Sequence, residues 1–148
     1  MIGLVQRVAE ARVTVAGDVV GAIGRGLLLF VCAERDDSDT VAERLVAKVL
    51  ALRVFADSAG KMNVDLAGVG GDLLVVSQFT LAADTSRGNR PSFTGAADAV
   101  RGRALYERVL ATARRLHRGA VAAGEFGADM QVALVNDGPV TIPITLRS

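Results

Sequence analysis

The sequence predicts an α+β fold: a mainly antiparallel or mixed, barrel-like β-sheet carrying two long helices, in the order βββ-α-ββ-α-ββ. Three observations predict it. Short apolar or alternating runs bounded by glycine-rich turns recur at both ends of the chain. Two long segments repeat apolar residues at helical spacing, and the order of elements fits a doubly wound parallel sheet poorly. The 148 residues suffice for one hydrophobic core, and no linker or low-complexity tract divides them, so residues 1–148 read as one domain.

The opening is β structure. Residues 3–8 and 12–15 partly alternate, and Gly17-Asp18 supplies a turn before residues 19–23. Gly24-Arg25-Gly26 then precedes residues 27–33, an unbroken apolar run of the kind a strand buried on both faces shows. Asp39 is placed to cap a helix whose Val41, Leu45, Val49 and Leu52 share a face. Residues 53–56 look extended, and residues 73–76 form a second buried run. Residues 83–94, poor in large apolar side chains and carrying Gly88 and Pro91, read as a long functional loop. A second helix follows over residues 98–118, with Val100, Leu105, Val109, Ala113 and Leu116 as its buried face. Residues 130–135 alternate, Asn136-Asp137-Gly138-Pro139 reads as a turn, and residues 140–146 have the β-branched content of a last strand.

Composition excludes several classes of function. The longest apolar run is far short of the roughly 20 residues a membrane helix needs, and no signal-like stretch opens the chain, so the expected location is the cytoplasm. One histidine, His117, and one cysteine, Cys32, leave no metal-binding cluster and no Ser-His or Cys-His pair; neither metal nor cofactor is expected. His117 reads as a solvated residue at a helix end, and Cys32 as a small buried hydrophobe. Net charge is only +1, but the second helix carries Arg101, Arg103, Arg108, Arg114, Arg115 and Arg118 against a single acid, Glu107. Such a face is either plain solvated surface or a seat for an RNA backbone. Two polar constellations remain: Ser77, Gln78, Phe79 and Thr80 at the end of a buried strand, and the segment from Asn136 to Thr141. By spacing alone these are strand-end and turn chemistry.

Ser-Gln-Phe-Thr-Leu at 77–81 together with Asn-Asp-Gly-Pro-Val-Thr at 136–141 resembles the signature pair of the D-aminoacyl-tRNA deacylases. Gln6-Arg7-Val8, Gly60-Lys61-Met62-Asn63, Arg90-Pro91-Ser92-Phe93 and Ala128-Asp129-Met130-Gln131-Val132 fit the same family, in the same order. The resemblance implies a cytoplasmic homodimer with active sites at the subunit interface. It implies hydrolysis of the ester between a D-amino acid and the 3′ end of tRNA. Each site receives the Gly138-Pro139 loop of the opposite subunit, its peptide bond cis. An L side chain would be driven into that loop, whereas a D side chain or glycine would not. By the same resemblance Val140 and Thr141 fix the loop, Met130 lines the site beside it, and Ser77, Gln78, Phe79 and Thr80 form the catalytic wall. Thr80 has no base near it by motif, so it is read as a positioning group and not a nucleophile. The alternative is a non-catalytic RNA-binding or dimerisation module.

Overall fold

The computed structural model describes residues 1–148 as eight strands, two α-helices and one 3-10 turn. The strands are β1 (Ile2–Val15), β2 (Asp18–Ile23), β3 (Gly26–Cys32), β4 (Phe55–Ala56), β5 (Met62–Val64), β6 (Asp72–Ser77), β7 (Val121–Ala123) and β8 (Gln131–Thr145). The helices are α1 (Asp39–Leu50) and α2 (Ala99–Leu116), and the 3-10 turn spans Phe79–Ala82. The main sheet runs β2-β1-β3-β6-β7, with β8 on the other side of β1; β3-β6 and β6-β7 are parallel and the other pairs antiparallel. The α+β, mixed-sheet expectation therefore holds.

The apolar runs of β3 and β6 are continuous because both faces of the sheet are covered. Leu27, Leu29, Val31, Leu73 and Val75 point into a core shared with Leu45 and Val49 of α1 and Leu105 and Val109 of α2. Their alternates Leu28, Leu74 and Val76 meet Val8, Val13 and Ile23 on the inner side of the curved sheet. Each such side chain contributes about 1.5–3 kcal/mol on burial, which fixes the register of both strands and the position of their C-terminal ends. The sheet curls until β2 meets β7. A Cβ at Gly21 would lie 2.5 Å from the carbonyl oxygen of Ala123, so only glycine allows this nearly closed barrel.

Several expectations are corrected in detail. Residues 3–8 and 12–15 belong to one strand, because β8 pairs along the whole of β1 and carries it through the lapse in alternation. Helix α1 is capped by Ser38, whose Oγ accepts from the Val41 N–H at 3.4 Å, with Asp39 its first residue. The cap of α2 is Asp98, accepting from Arg101 N at 2.9 Å. Val100 is 83% exposed: five residues before Leu105, it stands about 140° around the helix from the buried face. Leu116, in the last turn, is also exposed. Short strands β5 and β7 have too few residues to show a period. Residues 136–139 do not turn the chain; they are a bulge inside one long strand, β8.

His117 is buried, not solvated: it closes α2, with its Nε2 2.9 Å from the Gly71 carbonyl oxygen. The α-ammonium of Met1 is buried as well. It contacts Asp37 Oδ1 at 2.6 Å, Glu34 Oε2 at 2.9 Å and the Leu146 carbonyl oxygen at 2.7 Å, joining the start of β1 to the end of β8. Arg147 hydrogen-bonds Glu34 and holds its carboxyl below the usual range. No helix is long and apolar enough to cross a membrane.

Candidate active site

A cavity of about 520 Å³ opens where β3 and β6 end beside the first half of α2. Its walls include Cys32, Ser77, Gln78, Phe79, Tyr106 and Met130, and 12 of its 17 lining residues are hydrophobic. A mostly apolar hollow with a few convergent polar groups is the ordinary form of a small-group binding site. The Tyr106 hydroxyl donates to the Val75 carbonyl at 3.0 Å, and burial pushes its pKa up to about 12. Phe126 packs on Tyr106 with ring centroids 5.8 Å apart, and the Arg103 guanidinium covers the Phe126 ring at 4.8 Å. Cys32 is the buried hydrophobe the sequence suggested. Burial, seconded by the nearby Glu34 carboxylate, pushes its thiol up to about 11, so it is neutral near pH 7.

The polar wall follows directly from strand β6. After Ser77 the Gln78 N–H donates to the Val31 carbonyl at 2.7 Å, which extends the pairing by one residue. The chain then winds into the 3-10 turn, with Leu81 N donating to Gln78 O at 3.2 Å. The opening N–H groups of a helical turn have no partner within it, and here they belong to Phe79 and Thr80. Gln78 Nε2 donates to Thr80 Oγ1 at 2.5 Å. That neighbour is an amide donor and cannot take the hydroxyl proton. Phe79 meets the Phe93 ring edge-on at 5.1 Å and 73°. Residues 84–92 leave and return through paired backbone bonds between Asp84 and Ser92, 2.7 and 2.9 Å, so the predicted loop is pinned at its base.

The second constellation is built differently. On β8, Thr141 pairs with Gln6 and Asn136 with Val8, so residues 137–140 bulge out opposite Arg7 alone. Gly138-Pro139 is cis, and Gly138 has φ +131°. Side chains hold the bulge. Arg7 Nε donates to the Asp137 carbonyl at 3.0 Å and Nη1 to the Val54 carbonyl at 2.6 Å. Asn136 Oδ1 accepts from Val140 N at 3.2 Å, and Thr141 Oγ1 accepts from Asn136 Nδ2 at 2.8 Å and from Gln6 Nε2 at 3.1 Å.

The structure gathers Ser77, Gln78, Phe79 and Met130 around the cavity, while Thr80, next in the 3-10 turn, and Gly138, Pro139, Val140 and Thr141 are not among its lining residues. Ser77 is level with Val31 and Gly3 across the sheet, whereas the bulge faces Arg7. Sequence reasoning did not assign Gln6, Arg7, Tyr106 or Phe126. The Gln6-Arg7 pair between apolar Leu4-Val5 and Val8 is the available signal for the first two; the others are hidden in an ordinary helix face and loop.

Sheet, cavity and polar strand end together define a small mixed-barrel protein with a pocket suited to binding a small group. Residues 4–145 match the family described as D-Tyr-tRNA(Tyr) deacylase, and the chain belongs to that family. A D-aminoacyl-tRNA deacylase of Methylibium petroleiphilum is 64% identical over 146 residues, covering 99% of this chain and 95% of the relative. One of Aromatoleum aromaticum is 62% identical with the same coverage. Among solved structures, one described as a c-Myc DNA unwinding element binding protein superposes with a TM-score of 0.94 at 38% identity, covering both chains in full. A probable eukaryotic D-amino acid tRNA deacylase superposes at 0.84 with 17% identity over 97% of each chain, a likeness of fold.

Proposed function

We propose that this protein hydrolyses the ester of D-aminoacyl-tRNA in the cytoplasm, and accepts glycyl-tRNA as well, acting as a homodimer. In each site Ser77, Gln78, Phe79 and Thr80 of one subunit form the catalytic wall, with Met130 beside them, while Gly138-Pro139 of the other subunit closes it. Val140 and Thr141 keep that loop in shape. The observation that carries this reading is that residues 138–141 are not among those lining the cavity that Ser77, Gln78, Phe79 and Met130 share. A second copy supplies that loop.

The chemistry asked of the side chains is small. An aminoacyl ester is already activated, so main-chain N–H groups of the 3-10 turn that polarise its carbonyl, and a positioned water, are sufficient. Thr80 Oγ1, tied to Gln78 Nε2 at 2.5 Å, orients and does not attack. Chirality is selected by exclusion: an L side chain is directed into the Gly138-Pro139 loop, a D side chain away from it. A second reading, nucleic-acid binding without hydrolysis, draws on the arginines of α2 and on the DNA element in the description of the 38%-identical structure.

The test is deacylation of matched D-tyrosyl-tRNA and L-tyrosyl-tRNA by the purified protein, with and without chelator, against buffer. Rapid, chelator-insensitive loss of the D ester alone is expected. Folded protein that accelerates neither ester would favour the binding reading, and equal cleavage of both would keep the hydrolase but discard the chiral loop.

A further inference from the structure

The six arginines of α2 and its end divide into two groups that the sequence does not separate. In the first half each is occupied. Arg101 Nη2 donates to the Asp37 carbonyl at 2.8 Å, Arg103 lies on the Phe126 ring, and Arg108 pairs with Glu43 and, at 3.9 Å, with Asp39. In the second half Arg114, Arg115 and Arg118 are exposed and take part in none of the ion pairs or side-chain hydrogen bonds of the fold. Asp72, beside Gly119 at the helix end, accepts from the Ala120 main chain at 3.0 Å. Three guanidiniums within five residues, none of them in an ion pair, form a concentrated positive surface on a protein of net charge +1.

We infer that this end of α2 is a phosphate clamp for the RNA chain whose esterified end occupies the cavity. The inference rests on the deacylase reading above and adds to it a second contact with the substrate. Tyr106 lines the cavity, and Arg115 and Arg118 follow it by nine and twelve residues. At 1.5 Å per residue Arg115 stands about 14 Å further along the helix axis, and Arg118 lies just past the helix end. At roughly 3.4 Å of axial rise per nucleotide on a stacked strand, about 14 Å corresponds to about four nucleotides inward from the ester. The clamp therefore grips backbone remote from the reacting bond. It gives the enzyme affinity for the RNA without any preference for the amino acid, which suits a site that selects by handedness. A helix dipole also favours cations at this end, but that role stabilises the fold and leaves substrate affinity alone.

The experiment compares wild type with an Arg114→Gln, Arg115→Gln, Arg118→Gln variant on two esters, full-length D-tyrosyl-tRNA and D-tyrosyl-adenosine, between about 50 and 200 mM salt. For the tRNA, KM rises about tenfold or more at the lower salt and the salt slope flattens by about two to three, at 0.7–0.9 per phosphate lost. The kcat changes little, the short ester is cleaved as by wild type, and the triple lysine variant recovers most of the affinity. An unchanged KM and slope for the tRNA, or an equal loss on the short ester, would overturn the clamp. Should wild type cleave neither ester, the deacylase reading falls, and titration of uncharged tRNA then decides the clamp alone: weaker, less salt-sensitive binding by the triple glutamine variant upholds it, identical binding ends it.

Discussion

The cavity wall and the Gly138-Pro139 bulge are both polar features at sheet positions, yet they are held by different forces. Ser77 ends a central strand, paired with β3 on one side and β7 on the other and packed on both faces, so hydrogen-bond registry and burial position it. The bulge sits on β8, an edge strand with one neighbour, and departs from that neighbour's register. Arg7, Gln6 and Asn136 take the place of the missing ladder. A wall fixed by the backbone tolerates side-chain changes; a loop fixed by side chains does not. The two halves of the proposed site should therefore fail differently.

The largest effect is expected at Gly138. A Cβ there would lie 2.9 Å from Arg7 Nη2 and 2.9 Å from Val140 Cγ2, at a φ of +131° that other residues avoid. Strain of this kind costs about 1–3 kcal/mol, so Gly138→Ala should lower the rate on the D ester, or the ratio of D to L rates, about tenfold or more. Steady-state rates on both esters check this, and wild-type values for both would remove the bulge from the site. Arg7→Met comes next. It leaves the Asp137 and Val54 carbonyls without their charged donor, a loss of about 1–3 kcal/mol. The expected signature is increased cleavage of L-tyrosyl-tRNA with a lower Tm. A variant that loses stability but keeps full discrimination would show that Arg7 supports the strand and not the loop.

The same contrast explains what the sequence revealed. The buried runs of β3 and β6 and the periodic faces of the helices were legible because each is dictated by burial repeated over many residues. The bulge was misread as a turn because Asn-Asp-Gly-Pro has the local chemistry of one. Only the pairing of residues 131–135 and 141–145 with the same long β1 shows that the chain runs straight on. Val100 was assigned to the buried face from its type, although its angle around the helix puts it in solvent. Arg7 and Tyr106 act through partners 130 and 31 residues away, Asp137 and Val75, and a single sequence carries no record of contacts at such range.

The smallest effect is expected at Thr80, and it is the sharpest test of the wall. Were its hydroxyl the nucleophile, Thr80→Ala would abolish turnover, since the acyl intermediate would form on that oxygen. The geometry argues otherwise. Thr80 Oγ1 accepts from Gln78 Nε2, a group that cannot remove its proton, and the turn's own main-chain N–H groups remain when the side chain is cut back. Thr80→Ala removes one exposed hydrogen bond, worth about 0.5–1.5 kcal/mol, so the rate on D-tyrosyl-tRNA should fall by no more than about tenfold. On the proposed division of roles, discrimination against the L ester belongs to the bulge and should stay as it is. Single-turnover rates on both esters separate the cases: complete loss in a correctly folded protein would make Thr80 the attacking group, and a change in the D to L ratio would show that the wall and the bulge act together.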